Sequence, residues 1–276
     1  MARTAIARKS KVNALKVVYE SEARETEAQV DARISERFEI LDILTEACTV
    51  GNARAMIVSG PAGLGKSYTV EEHLRAWDPN EINHTIVKGY VRLTGLIKLL
   101  YRFREEGQVI VFDDADTIFF DGDSLNTLKA VCDTTERRRV SYLSEAKLID
   151  DDTAELIPRQ FDFHGSIIFI TNYDMDAAIE RGHKLAVHFE AMISRAHYVD
   201  LAMKTRRDYL IRIRQVIRQG LLNHLRPDER KDVVDFIEEN HEKLRELSLR
   251  MAIKVGNIRR AGGKWKNIAK VTCCRH

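Results

Sequence analysis

The sequence predicts a three-layer α/β domain followed by a small all-helical one. Five short apolar runs rich in β-branched residues alternate with amphipathic stretches as far as Leu201, and beyond it the strand pattern stops. Length agrees, since 276 residues accommodate a medium domain with a small one attached.

Residues 1–30 are rich in Ala, Lys and Glu, with Tyr19 as their one aromatic, and read as a mobile or helical arm. From Ser35, taken as an N-cap, Phe38, Ile40, Leu41, Ile43, Leu44 and Ala47 keep helical spacing until Gly51-Asn52. The apolar runs are Ala55–Ser59, His84–Lys88, Gln108–Asp113, Ser166–Thr171 and Ala196–Leu201. Their unbroken apolar character suits strands buried on both faces of a parallel sheet. Helical candidates between them are 67–77, 94–106, 124–133 and 176–181. Helices are expected again over 205–220, 227–240, 244–260 and 264–271, broken at Asn223 and Gly262-Gly263. The organisation is therefore an arm (1–30), an α/β domain (31–202) and a helical domain (203–276).

Composition narrows the class. With 44% hydrophobic and 31% charged residues the chain reads as globular, and no apolar run nears the roughly 18 residues a membrane helix needs. The basic start is not followed by an apolar core and cleavage site, so a secretory signal is not expected. Cys48, Cys132, Cys273 and Cys274 lack CxxC spacing and read as reduced thiols of a cytoplasmic protein. Net charge is only +2, but from Lys204 onward basic residues outnumber acidic ones about two to one.

Gly60-Pro61-Ala62-Gly63-Leu64-Gly65-Lys66-Ser67 matches GxxxxGK[ST] in full, directly after an apolar run and before a helical stretch. Such glycines let backbone N–H groups turn inward around phosphate oxygens where a helix dipole favours anions. Residues Gly60 through Tyr68 are the expected ATP contacts, with Lys66 reaching the β- and γ-phosphates and Ser67 ligating Mg²⁺. The plainer alternative is a glycine-rich turn with a surface lysine. Downstream, Val109–Phe112 is an apolar strand ending in Asp113 and Asp114, the Walker B pattern. Asp113 is expected to hold Mg²⁺ through water. Asp114 stands where many such sites carry a glutamate that polarises the attacking water, and Asp116 competes for that role.

With these motifs the chain resembles the AAA+ ATPases over roughly residues 35–260. The resemblance implies sheet order 5-1-4-3-2, a helical lid over bound ATP, and a ring or spiral of identical subunits, often a hexamer. Asn172, ending Ser166–Asn172, carries over as sensor 1, which positions the lytic water. Ala191–Leu201 is similar to the arginine-finger segment of clamp-loader ATPases, with Ala196 where those have cysteine. Arg195 would then act on the ATP of the next subunit, where such a finger changes turnover about 10³–10⁵-fold. Leu247–Met251 resembles sensor 2, making Arg250 a γ-phosphate contact. The whole is also similar to small AAA+ ATPases of tailed bacteriophages, which implies the host cytoplasm as location.

The favoured client is DNA. Arg137, Arg138 and Arg139 open a stretch with strand-like ends, Val140–Leu143 and Gln160–Phe163, before the sensor 1 strand. Relatives place a DNA-facing hairpin there, and a solvated loop is the equal alternative. Trp265 among Lys264, Lys266 and Lys270 offers a base-stacking platform or simply packs the lid. A protein client is the second reading, with Gly89-Tyr90-Val91 as a pore-loop candidate, though a core tyrosine is the plainer assignment. The third is a slow ATP-dependent assembly switch, kept open by Asp114 in the glutamate position.

Overall fold

The computed structural model describes residues 25–144 and 147–275. Most of the expected arm, residues 1–24, lies outside them. The described residues form two units. One takes Arg37–Lys204 with Ser248–Arg250, and the other takes the residues up to Glu36, Thr205–Leu247 and those from Met251 on.

The first helix, α1 (Glu27–Thr49), starts well before Ser35, which is therefore not its cap. Val30 and Ile34 extend the stripe of Phe38 and Leu41 backward at helical spacing, and all four are buried. The α/β unit continues with β1 (Ala55–Ser59), α2 (Lys66–Trp77), β2 (His84–Lys88), α3 (Leu93–Arg102) and β3 (Val109–Asp113). After a 3-10 turn over Asp116–Phe119 come α4 (Gly122–Val131), β4 (Arg139–Ser141), β5 (Gln160–Asp162) and β6 (Ser166–Thr171). It ends with α5 (Met175–Glu180), α6 (Ala186–Ile193) and β7 (His197–Asp200).

β1, β3 and β6 are buried at every residue, as unbroken apolar runs require. Phe112 and Phe169 stack across β3 and β6 at 5.6 Å, each ring contributing about 1.5–3 kcal/mol by burial. The sheet is parallel throughout, in the order β2-β3-β6-β1-β7. The expected label 5-1-4-3-2 counted five strands and needs correcting, because β4 and β5 pair antiparallel in a separate hairpin and shift the numbering. With the hairpin uncounted, the first strand lies between the fourth and fifth, and the second lies at the far edge.

In the helical unit, α7 (Arg206–Arg218) is capped by Thr205, and α8 (Pro227–Asn240) has proline at its first turn, where no N–H is missed. α9 (Leu249–Ala261) starts five residues later than expected. Leu244 instead accompanies the end of α8, and the Arg245 N–H bonds the Cys273 carbonyl of α10 (Trp265–Cys273). Trp265 is buried against Phe236 at 5.6 Å. It packs this unit's core, which removes the base-stacking reading. Among the described residues no helix is long and apolar enough to cross a membrane. All four cysteines are buried and free.

Candidate active site

Strand register builds the site. Ser59 pairs with Thr171, Asp113 with Ile170 and Lys88 with Asp113, so β1, β6, β3 and β2 end side by side. Their following loops converge at the carboxyl end of a parallel sheet, where open α/β folds bind ligands.

The loop after β1 reverses direction on glycines. Gly60, Gly63 and Gly65 have φ of 152°, 77° and 97°. A Cβ on Gly60 would lie 3.1 Å from the Leu201 backbone, and one on Gly63 would lie 2.7 Å from Ser248 Cβ. Gly65 is the N-cap of α2 and supplies no side-chain acceptor, so the first N–H groups of the helix face outward for an anion. Leu64 anchors the loop and is fully buried. Pro61 is half-buried, while Ala62 and Tyr68 are exposed, and the Tyr68 hydroxyl donates to Glu72 one turn along.

Lys66 is 5% exposed. Its ammonium donates to the Gly60 carbonyl at 2.6 Å, the Pro61 carbonyl at 2.9 Å and Asn172 Oδ1 at 2.8 Å. Burial pushes it down to about 8, Asp114 and Asp113 oppose that shift, and the nearby Arg250 charge adds to it. Asn172 in turn donates through Nδ2 to Asp114 Oδ1 at 2.7 Å. A lysine, an amide and a carboxylate thus form one continuous chain across the mouth of the loop.

Ser67 donates to Asp113 Oδ1 at 2.8 Å. Asp113 ends β3 and is buried, whereas Asp114 is exposed with φ +52°, held there by its N–H to the Ile170 carbonyl. That backbone lies in the left-handed region that non-glycine residues seldom adopt. Asp116 begins the 3-10 turn, and its Oδ1 is buried without a hydrogen-bond partner. Burial raises its carboxyl above the ordinary range, with the Thr171 hydroxyl opposing.

A hydroxyl and a carboxylate 2.8 Å apart are hard oxygen donors suited to Mg²⁺, which leaves its other positions to water and phosphate. Among the described residues no set of three His, Cys, Asp or Glu side chains could hold a metal alone. The donors present fit a metal that arrives with a nucleotide.

Arg250 lies on the first turn of α9 within the α/β unit, where the Leu249 N–H bonds the Gly63 carbonyl at 2.8 Å. Arg195 is elsewhere. It follows α6, donating to the Ala191 carbonyl at 2.7 Å and pairing with Asp133 at 3.3 Å. Since His197 pairs with Met56 and Asp200 with Ser59, Arg195 lies at the opposite end of β7 from the glycine loop. Five extended residues span about 16 Å.

Two residues of the site escaped sequence reading. Lys88, ending β2, pairs with Asp113 Oδ2 at 3.1 Å and Glu71 Oε1 at 2.6 Å. Glu71 holds its ammonium charged, raising it above its ordinary value. The helical spacing of Ser67 and Glu71 was readable, but the register that lays Lys88 beside Asp113 was not.

The proposed DNA contacts come out differently. Arg138 is buried and donates to the Val131 and Gly165 carbonyls at 2.9 Å each, so it is a packing residue. Arg137 and Arg139 are exposed and share Asp162 across the hairpin. Tyr90 is 69% exposed and is no core tyrosine, while Val91 beside it is buried.

No family model matches the chain. It is 34% identical over 257 residues to the uncharacterized 36.7 kDa protein of the nrdC-mobD intergenic region of Enterobacteria phage T4, covering 90% of this chain and 77% of that protein. Among solved structures, NtrX from Brucella abortus aligns at 14% identity and TM-score 0.42 over 95% of this chain. Its complex with ADP aligns at 14% and 0.37 over 84%. The chain spans 59% and 63% of the lengths of those two structures.

Proposed function

The chain belongs to the family of the phage T4 36.7 kDa protein, and from its own site chemistry we propose that it is an ATP hydrolase of the P-loop, AAA+ type. The observation that carries this is the convergence of Lys66, Ser67, Asp113, Asp114 and Asn172 on one glycine loop at the strand ends. Lys66 and the α2 N–H groups bind the phosphates. Ser67 and Asp113 would hold Mg²⁺, which would neutralise charge on the phosphate oxygens. Asp114 and Asn172 orient the water in line with the γ-phosphorus, so catalysis rests on positioning and fixed charge. Arg250, which belongs to the same unit as the loop, contacts the γ-phosphate.

Arg195 lies too far from its own loop to reach these phosphates, which favours action on a neighbouring copy in a ring or spiral. For the client, DNA is the first reading. Among the described residues Arg260, Lys264, Lys266 and Lys270 are exposed and form no ion pair, and the stretch from Leu249 to Arg275 holds no acidic residue, as suits contact with phosphates. The exposed Tyr90 favours a protein client as the second reading. The phage relative supports a phage-encoded protein.

The test is steady-state ATP hydrolysis against protein concentration, with and without single- or double-stranded DNA or an unfolded protein. Turnover per subunit is expected to rise with concentration and with DNA. Arg195→Ala is expected to lower it at least about 10³-fold while ATP still binds. Turnover that is flat with concentration and indifferent to Arg195 would rule out the shared site.

A further inference from the structure

Lys88 is a charged residue of this site that the hydrolytic chemistry does not use. Strand register explains its position. Lys88 and Asp113 are direct partners on neighbouring parallel strands, so their side chains leave the same face of the sheet. Ser67 and Glu71 lie four residues apart on α2 and share the helix face toward those strand ends. The result is a line of four groups joined by three contacts, with both end groups carried by α2. Ser67 donates to one oxygen of Asp113, Lys88 pairs with the other at 3.1 Å, and Lys88 also pairs with Glu71 at 2.6 Å.

The charges define what this line of groups can do. Asp113 is buried, and a buried carboxylate needs a cation. Its side chain is 5% exposed, while that of Lys88 is 58% exposed and can swing outward on a flexible stem. Glu71 gives the ammonium a second partner to keep when it leaves Asp113.

We propose that Lys88 is a resident cation that neutralises Asp113 when no Mg²⁺ is bound, and that it competes with Mg²⁺ for that carboxylate. Lys88 thereby sets the Mg²⁺ concentration at which nucleotide is captured. The inference rests on reading the loop as an ATP site.

The test is equilibrium binding of a fluorescent ATP analogue, titrated with Mg²⁺ and repeated in EDTA, for wild type, Lys88→Met and Lys88→Arg. Lys88→Met is expected to lower the half-saturating Mg²⁺ about three- to tenfold. It should also weaken binding in EDTA, because an uncompensated Asp113 repels the triphosphate. Lys88→Arg keeps the charge and should stay near wild type. If wild type binds the analogue but Lys88→Met leaves the Mg²⁺ midpoint unchanged or raises it, competition is refuted and the ATP site stands. If wild type binds no nucleotide in either condition, the ATP site itself falls and the inference with it.

Discussion

At the scale of single residues, two carboxylates contend for the water of the proposed hydrolysis, and their surroundings separate them. Asp114 is exposed and bonded to Asn172, which is bonded to Lys66. Asp116 accepts from Thr171, leaves its other oxygen buried and unpartnered, and is raised by burial. Asp114 therefore belongs to the phosphate-facing chain, and Asp116 to the packing beneath it. Asp114→Asn is expected to lower kcat about 10²–10⁴-fold with ATP affinity retained, and Asp116→Asn to change kcat only a few-fold. The reverse ranking in single-turnover hydrolysis would transfer the role to Asp116. Residues such as Lys66, Ser67 and Asp113 were legible because each motif is contiguous and its spacing carries the chemistry. Lys88 was not legible, since its partner is 25 positions away and only strand pairing joins them.

At the scale of elements, each of the five apolar runs is a strand of the main sheet, with ends moved by a residue at most. Helix starts were harder. α4 begins two residues early because the Asp121 carboxylate accepts from the Ser124 N–H and caps it. α6 went unseen, being eight residues without a charged face. The stretch between β4 and β5 read as a solvated or DNA-facing loop, yet it is tied to α3. Asp150 accepts from the Thr153 and Asp152 N–H groups at 3.0 Å and from Arg102 at 3.2 Å, while Lys98 pairs with Asp151. The backbone donors, with Arg102 behind them, hold the Asp150 carboxyl down to about 2. Its folded value is depressed, so its contribution is fully present above about pH 4 and is lost as pH falls toward about 2. Asp150→Ala is expected to cost about 1–3 kcal/mol at neutral pH, through the donors it leaves unpaired. It should also flatten the acid dependence in that window. Urea unfolding at pH 7 and pH 3 checks both, and a variant as acid-sensitive as wild type would refute the assignment.

At the scale of the whole molecule, the glycine loop and Arg195 lie at opposite ends of adjacent strands. The sequence motifs could place both on the chain but not relative to each other, since that distance is set by the parallel pairing of β1 and β7. Asp133 meanwhile holds Arg195 near the C-terminal end of α6, an anchored and half-exposed guanidinium. If a neighbour's ATP is its target, two defects should complement. A Lys66→Ala subunit lacks its own phosphate contact but still offers Arg195, whereas an Arg195→Ala subunit binds ATP and lacks only the finger it gives away. In an equal mixture, half of the intact ATP sites meet an intact finger, and those sites are half of the total. Heterologous assembly then predicts recovery to about a quarter of wild-type turnover from two variants that are each inactive alone. A mixture no more active than its components, in particles shown by light scattering to contain both, would place Arg195 outside the catalytic site and leave the ATP loop to act within a single subunit.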